Sequence, residues 1–219
     1  MVNKQKQWQI GIDEAGRGPL AGPVAVGVVL VPVDFDWNII PGVGDSKKIT
    51  AKNREVIYQR AKEIQRTGQL AFVVEMVSAR LIDKVGISPC IKKAIAKGLS
   101  KLEKTNFKGG LASLKKLGLG SEGVMIKLDG SLSAPPEYLY QETIIRGDAK
   151  EKVIGLASIM AKVTRDRYMK KIATKPSFAV YDFARHKGYG TKIHREAIAK
   201  NGLSLEHRVT YCRNIKVVV

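Results

Sequence analysis

Cysteine is scarce in this 219-residue chain, with only Cys90 and Cys212 present. Two thiols cannot build a disulfide framework, and without paired spacing they do not make a zinc site, so free thiols in a reducing compartment are expected. Long apolar runs are also missing. The longest, residues 23–33, is bounded by prolines and too short to cross a bilayer, and no apolar stretch follows Lys4 and Lys6 to form a secretory signal. These absences predict a cytoplasmic protein with no membrane span. Acidic residues are outnumbered: 20 Asp and Glu stand against 38 Lys and Arg, a formal net charge of +18. That excess cannot be spread over one fold without positive patches, so the natural partner is a polyanion. Charge alone leaves nucleic acid, ribosomal RNA and an acidic membrane surface open. No internal repeat is visible.

What is present is enough apolar sequence, 44% of residues, to fill one main core. Residues 8–12 and 24–31 read as strands, the second so continuously apolar that burial on both faces is expected. A charged helix over about 52–66 and a third strand over 70–77 complete a β-β-α-β opening. The next helix carries Ile91, Ala94, Ile95, Gly98, Leu99 and Leu102 on one stripe, with Ser88 placed to cap it and Pro89 in its first turn. From 103 to 123 the pattern dissolves into Lys, Gly, Ser and Leu and reads as a loop or solvated tether. Strands are expected again at 124–128 and near 143–146, followed by a long helix over about 150–171 and a further helix near 192–200. The organisation expected is a core over 1–175 with a helical region, 176–219, packed on it.

Four acids fall at element boundaries: Asp13 and Glu14 at the end of the first strand, Asp129 at the end of a central strand, and Asp148 just before the long helix. Strand ends of open sheets are where sites assemble. Clustered carboxylates repel unless neutralised, and hard divalent cations take oxygen ligands, so such a cluster in a basic protein suggests metal-assisted phosphodiester cleavage. Each acid also has a plainer reading. Asp148 with Glu151 has the spacing of a helix capping box, and Asp129-Gly130 could be only a turn. Asp13-Glu14 beside apolar Ile10 and Ile12 is harder to set aside, because buried acids need compensation.

Directly after that pair, Gly16-Arg17-Gly18 opens a glycine-rich turn, residues 15–23. Glycine lets backbone approach a ligand, arginine offers a planar donor, and exposed amides can read a sugar hydroxyl. The spacing is neither a dinucleotide fingerprint nor a Walker loop. Ser46 and Lys47 lie in a loop opened by Pro41, Gly42 and Gly44 and could hold a backbone phosphate, or be solvated surface. Tyr189, framed by glycines and cations, suits stacking on a sugar or base, or packing on the core. His194 and His207 read as structural or phosphate-contacting rather than as metal ligands.

Taken in order, the segment 12–24, the block Asp45-Ser46-Lys47-Lys48, Asp129-Gly130, Gly147-Asp148 leading into 157–167, Lys187-Gly188-Tyr189-Gly190-Thr191 with His194, and His207-Arg208 resemble ribonuclease HII over nearly the whole chain. The resemblance implies an α/β ribonuclease H-like fold, with a mixed central sheet flanked by helices and a helical C-terminal region. It implies cleavage of the RNA strand of RNA-DNA hybrids and nicking of duplex DNA 5′ of embedded ribonucleotides, leaving 3′-hydroxyl and 5′-phosphate ends, an activity of ribonucleotide excision repair. It assigns Asp13, Glu14, Asp129 and Asp148 as catalytic acids holding Mg2+ or Mn2+, Gly16, Arg17 and Gly18 as sensors of the 2′-hydroxyl, and Tyr189 as a stacking residue. Ser46, Lys47, Lys162 and Arg165 are implied phosphate contacts. The stretch 103–123 is longer than the family's usual connection, and the tail 213–219 lacks the glutamine-plus-aromatics pattern some relatives use to bind a sliding clamp. A monomer without an obligate protein partner is expected. Two rivals stand beside this reading: a non-catalytic RNA-binding protein such as a ribosomal component, which needs no acid cluster, and a transposase-like or resolvase-like nuclease, which needs no ribose-reading turn.

Overall fold

The computed structural model describes residues 7–44, 48–105 and 118–216. Most of the 103–123 stretch, together with Ser46 and Lys47, therefore lies outside the described residues. A five-stranded sheet in the order β3-β2-β1-β4-β5 forms the centre, from β1 (Trp8–Ala15), β2 (Val24–Pro32), β3 (Ala71–Val77), β4 (Val124–Asp129) and β5 (Gln141–Ile144). β1 pairs antiparallel with β2, and β2 with β3, whereas β4 runs parallel to β1 and β5 to β4. The sheet is thus mixed, as expected. β2 is buried from Val24 to Val31 because both faces of the sheet are covered.

One face carries α2 (Ala79–Val85) and α3 (Ile87–Glu103); the other carries α1 (Ala51–Thr67) and α5 (Lys152–Ala173). Thr50 caps α1, accepting from the Asn53 amide, and Gly68 closes it in the left-handed conformation. The stripe of α3 is buried as expected. Its start differs: α2 fills the preceding segment, α3 begins at Ile87 behind Gly86, and Ser88 lies inside the first turn instead of capping it. The side-chain cap in this segment belongs to Ser78, which accepts from the Leu81 amide at the start of α2.

α5 lies unusually close to the sheet. A side chain on Gly11 would come within 2.2 Å of the Val153 carbonyl oxygen, and one on Gly27 within 2.2 Å of that of Ala157. Two glycines on adjacent strands therefore let helix backbone rest on strand backbone. Buried on almost every side from Val153 to Ala161, this helix is a central one.

The segment from 176 onward adds a 3-10 turn (Pro176–Tyr181), α6 (Phe183–His186) and α7 (Lys192–Asn201). Tyr181, Phe183, Ile198 and Cys212 pack with Ala21, Met169 and Ile172 into a separate apolar cluster against the glycine-rich turn and the end of α5. Both cysteines are buried and free. No helix among the described residues is long and apolar enough to cross a membrane.

Candidate functional site

Sheet register brings the acids together. β1 and β4 are parallel, with Ile12 opposite Leu128, so Asp13 and Asp129 leave the same end of neighbouring strands. Asp129 pairs with Ile144 on β5, and three residues later the chain turns into α4 (Gly147–Lys150), which carries Asp148. The Gly147 amide donates to Asp129 Oδ1 at 2.6 Å and the Asp148 amide approaches it at 3.4 Å. Arg146 takes a left-handed backbone (φ 55°) to make this corner.

Asp13, Glu14 and Asp129 line one cavity of about 270 Å³, with residues 15–18, Arg54, Ser158, Lys162 and Tyr189 around it. Asp148 is buried beside Asp129 and is not part of the cavity lining. It sits inside α4, and Glu151 pairs with Lys127 Nζ at 2.8 Å, so the two acids do not form the capping box their spacing allowed.

Burial pushes the Asp13 carboxyl up to about 8, with the nearby Glu14 and Asp129 charges adding to the shift. The Ser158 hydroxyl and the Glu14 amide, the latter donating to Asp13 Oδ1 at 2.7 Å, oppose it only in part. The close seating of α5 explains Ser158: Gly27 is the register partner of Asp13, and the residue pressed onto Gly27 is Ala157. Among the described residues no three Asp, Glu, His or Cys side chains close into a ready metal cage. The donor set is instead open and all oxygen, which fits a hard divalent ion that keeps water and phosphate oxygens in its shell.

The glycine-rich turn is held from behind by two buried arginines. Arg208 donates to the carbonyls of Gly16 (2.6 Å), Arg17 (2.8 Å) and Gly22 (2.9 and 3.1 Å). Arg165 donates to those of Pro23 (2.8 Å) and Ala21 (3.0 Å). Gly16 has φ 92°, and a side chain there would lie 2.1 Å from Arg165 Nε. With its carbonyls gripped, the turn leaves Arg17 at the cavity, where its Nε donates to Glu14 Oε1 at 2.8 Å.

Arg165 is a correction to the sequence reading. It has no exposure and binds backbone, so a buried brace stands where a phosphate contact was expected, because the end of α5 is covered by the segment after 176. Lys162, one turn earlier, does reach the cavity; its ammonium pairs with Asp166 at 2.8 Å and lies 5.5 Å from the Tyr189 ring centre. Tyr189 is 42% exposed and faces the cavity, so it is not a core tyrosine.

Sequence reasoning missed Ser158 and Arg54. Ser158 stands inside the 157–167 block that carried the resemblance, but only the helix seating reveals its bond to Asp13. Arg54 sits in the first turn of α1, where nothing in the local pattern distinguishes it from the helix's other cations. The histidines are structural: His186, His194 and His207 are all buried, and burial lowers the last two to about 4.

Known proteins resemble this chain over most of its length. Residues 10–214 match the family model for ribonuclease HII. A ribonuclease HII from Endomicrobium trichonymphae is 38% identical over 201 residues, covering 92% of this chain and 83% of that protein. Among solved structures, the ribonuclease HII of Archaeoglobus fulgidus, determined in complex with PCNA, superposes with a TM-score of 0.64 at 23% identity over 94% of each chain. Bst-RNase HIII in complex with Mn2+ superposes with a TM-score of 0.66 at 16% identity, covering 94% of this chain and 67% of that one. The fold is therefore ribonuclease H-like, the idle RNA-binding rival falls away, and the chain belongs to the ribonuclease HII family of ribonuclease H endonucleases acting on RNA-DNA hybrids.

Proposed function

We propose that this enzyme cuts the RNA strand of hybrids and also nicks duplex DNA on the 5′ side of an embedded ribonucleotide, leaving 3′-hydroxyl and 5′-phosphate ends. Ribonucleotide excision repair in the cytoplasm is the process such a nick serves. The observation that carries the reading is one cavity holding Asp13, Glu14 and Asp129 together with Gly16, Arg17, Gly18 and Tyr189. The acids supply a place for the scissile phosphate and the turn supplies a place for the sugar beside it.

Asp13, Glu14 and Asp129 would hold Mg2+ or Mn2+, with Asp148 behind them as the fourth acid; Bst-RNase HIII binding Mn2+ supports the choice of ion. When bound, the ions supply Lewis-acid charge that activates the attacking water and stabilises the leaving oxygen. The chain's own residues set the geometry. Ser158 and the Glu14 amide orient the Asp13 carboxylate, and the Gly147 amide orients Asp129. Arg17, tethered by Glu14, presents its remaining donors to the sugar, while the amides of the braced turn can tell a 2′-hydroxyl from hydrogen. Tyr189 stacks on the sugar at the junction, and Lys162 next to it contacts a backbone phosphate. Ser46 and Lys47 extend that phosphate grip by the family resemblance alone.

The test is an end-labelled duplex carrying one ribonucleotide, incubated with and without chelator and mapped to single-nucleotide resolution. One chelator-sensitive cut, 5′ of the ribonucleotide, is expected. Arg17→Ala should blur the choice between ribose and deoxyribose sites, and unchanged cutting by that variant refutes its role as the sensor.

A further inference from the structure

Behind Tyr189 three buried histidines are joined with one consistent proton pattern, His207 to His194 by a hydrogen bond and His194 to His186 by ring stacking. The Ser204 amide donates to His207 Nδ1 at 2.8 Å, so the proton of neutral His207 is on Nε2. That nitrogen lies 3.0 Å from His194 Nε2, which must accept, leaving His194 Nδ1 to donate to the Tyr189 carbonyl at 2.9 Å. His186 stacks on His194 at 4.2 Å between ring centres and accepts from the Gly188 amide at 3.1 Å. The Tyr189 amide in turn donates to the His186 carbonyl at 3.0 Å. Residues 188 and 189 are thus held on both sides, and Tyr189 projects into the cavity from a backbone that the histidines fix.

We propose that His194 is a positioning residue for Tyr189, aligning the ring for the ribose through the bond from Nδ1 to the Tyr189 carbonyl. The inference rests on the stacking role proposed for Tyr189. It needs all three rings neutral, as their burial against Tyr181 and Phe183 favours, with Asp182, Arg185 and Lys187 the charged groups near His186.

Two substitutions separate positioning from bulk. An asparagine amide can take the place of Nδ1 and a glutamine oxygen that of Nε2. His194→Asn keeps the donor to Tyr189, whereas His194→Gln keeps the contact with His207 and loses it. Losing one hydrogen bond of typical net strength predicts a fall of about fivefold in kcat/KM on a single-ribonucleotide duplex for His194→Gln. Affinity for an all-DNA duplex should stay unchanged, and His194→Asn should recover most of the activity. In a Tyr189→Ala background, His194→Gln should cost nothing further. Equal losses in the His194→Asn and His194→Gln proteins, or additive losses in the double variant, overturn the positioning role while leaving the Tyr189 reading intact. A Tyr189→Ala enzyme as active as the wild type overturns the stacking reading itself, and the positioning role of His194 with it.

Discussion

Replacing Asp13 by asparagine should destroy cleavage and at the same time stabilise the metal-free protein. The carboxyl ordinarily titrates at 3.8 and is pushed up to about 8 by burial, with Glu14 and Asp129 beside it. A raised folded-state value means that the native protein keeps a proton the unfolded chain gives up. Below about pH 4 both states hold it, and aspartic acid and asparagine are equivalent. Between about pH 4 and 8 the wild type loses about 1.4 kcal/mol for each pH unit, a deficit on the order of 4 kcal/mol at neutral pH; above pH 8 the loss levels off. The side chain introduced by Asp13→Asn is neutral throughout, and its amide oxygen can still accept from the Glu14 amide. For a chain of this length about 4 kcal/mol corresponds to on the order of 10 °C in Tm. Thermal melts of both proteins in chelator at pH 5, 6, 7 and 8 should show a gap that widens with pH. Adding Mn2+ or Mg2+ at pH 7.5 should raise the wild-type Tm and narrow the gap, because an ion that binds only the native state stabilises it. A gap that stays constant from pH 5 to 8, or an Asp13→Asn protein that melts no higher than the wild type at pH 8, refutes the burial argument.

Other outcomes follow from the braces and the histidines. Arg208→Lys removes a planar donor from three carbonyls and should cost about 2–4 kcal/mol in urea denaturation, with poorer discrimination between ribose and deoxyribose sites. Gly16→Ala forces a side chain onto Arg165 Nε at φ 92° and should lower stability by about 2 kcal/mol or more, read by the same denaturation. His194 and His207 are lowered to about 4 from an ordinary 6.5, so the unfolded chain takes up protons first as the medium acidifies. The histidines' contribution to stability should be full above pH 6.5 and fall by about 1.4 kcal/mol per pH unit per histidine until about pH 4; His207→Gln should flatten that acid limb in pH-dependent melts.

Some of this was legible without a fold. The apolar runs at 8–12, 24–31 and 124–128 needed only alternation and continuity to be read as strands, and the α3 stripe only helical spacing, because these are properties of consecutive residues. The excess of 18 positive charges pointed to a polyanion without saying which, and the position of Asp13, Glu14, Asp129 and Asp148 at element boundaries marked them as a set. Helix starts were less legible: Ser88 resembles a cap as well as Ser78 does, and only the packing of α2 decides between them.

What the tertiary structure alone decided concerns burial and meeting. Arg165 and Lys162 lie three residues apart with the same charge, yet one is sealed beneath the segment after 176 and the other opens onto the cavity. Ser158 reaches Asp13 only because Gly11 and Gly27 let α5 settle on the sheet. His186, His194 and His207 come together behind Tyr189 only when α6, α7 and the turn before Arg208 fold over Ala21. The physical reason is the same in each case: a side chain's solvent access and charge environment are set by neighbours distant in sequence, which local periodicity does not encode.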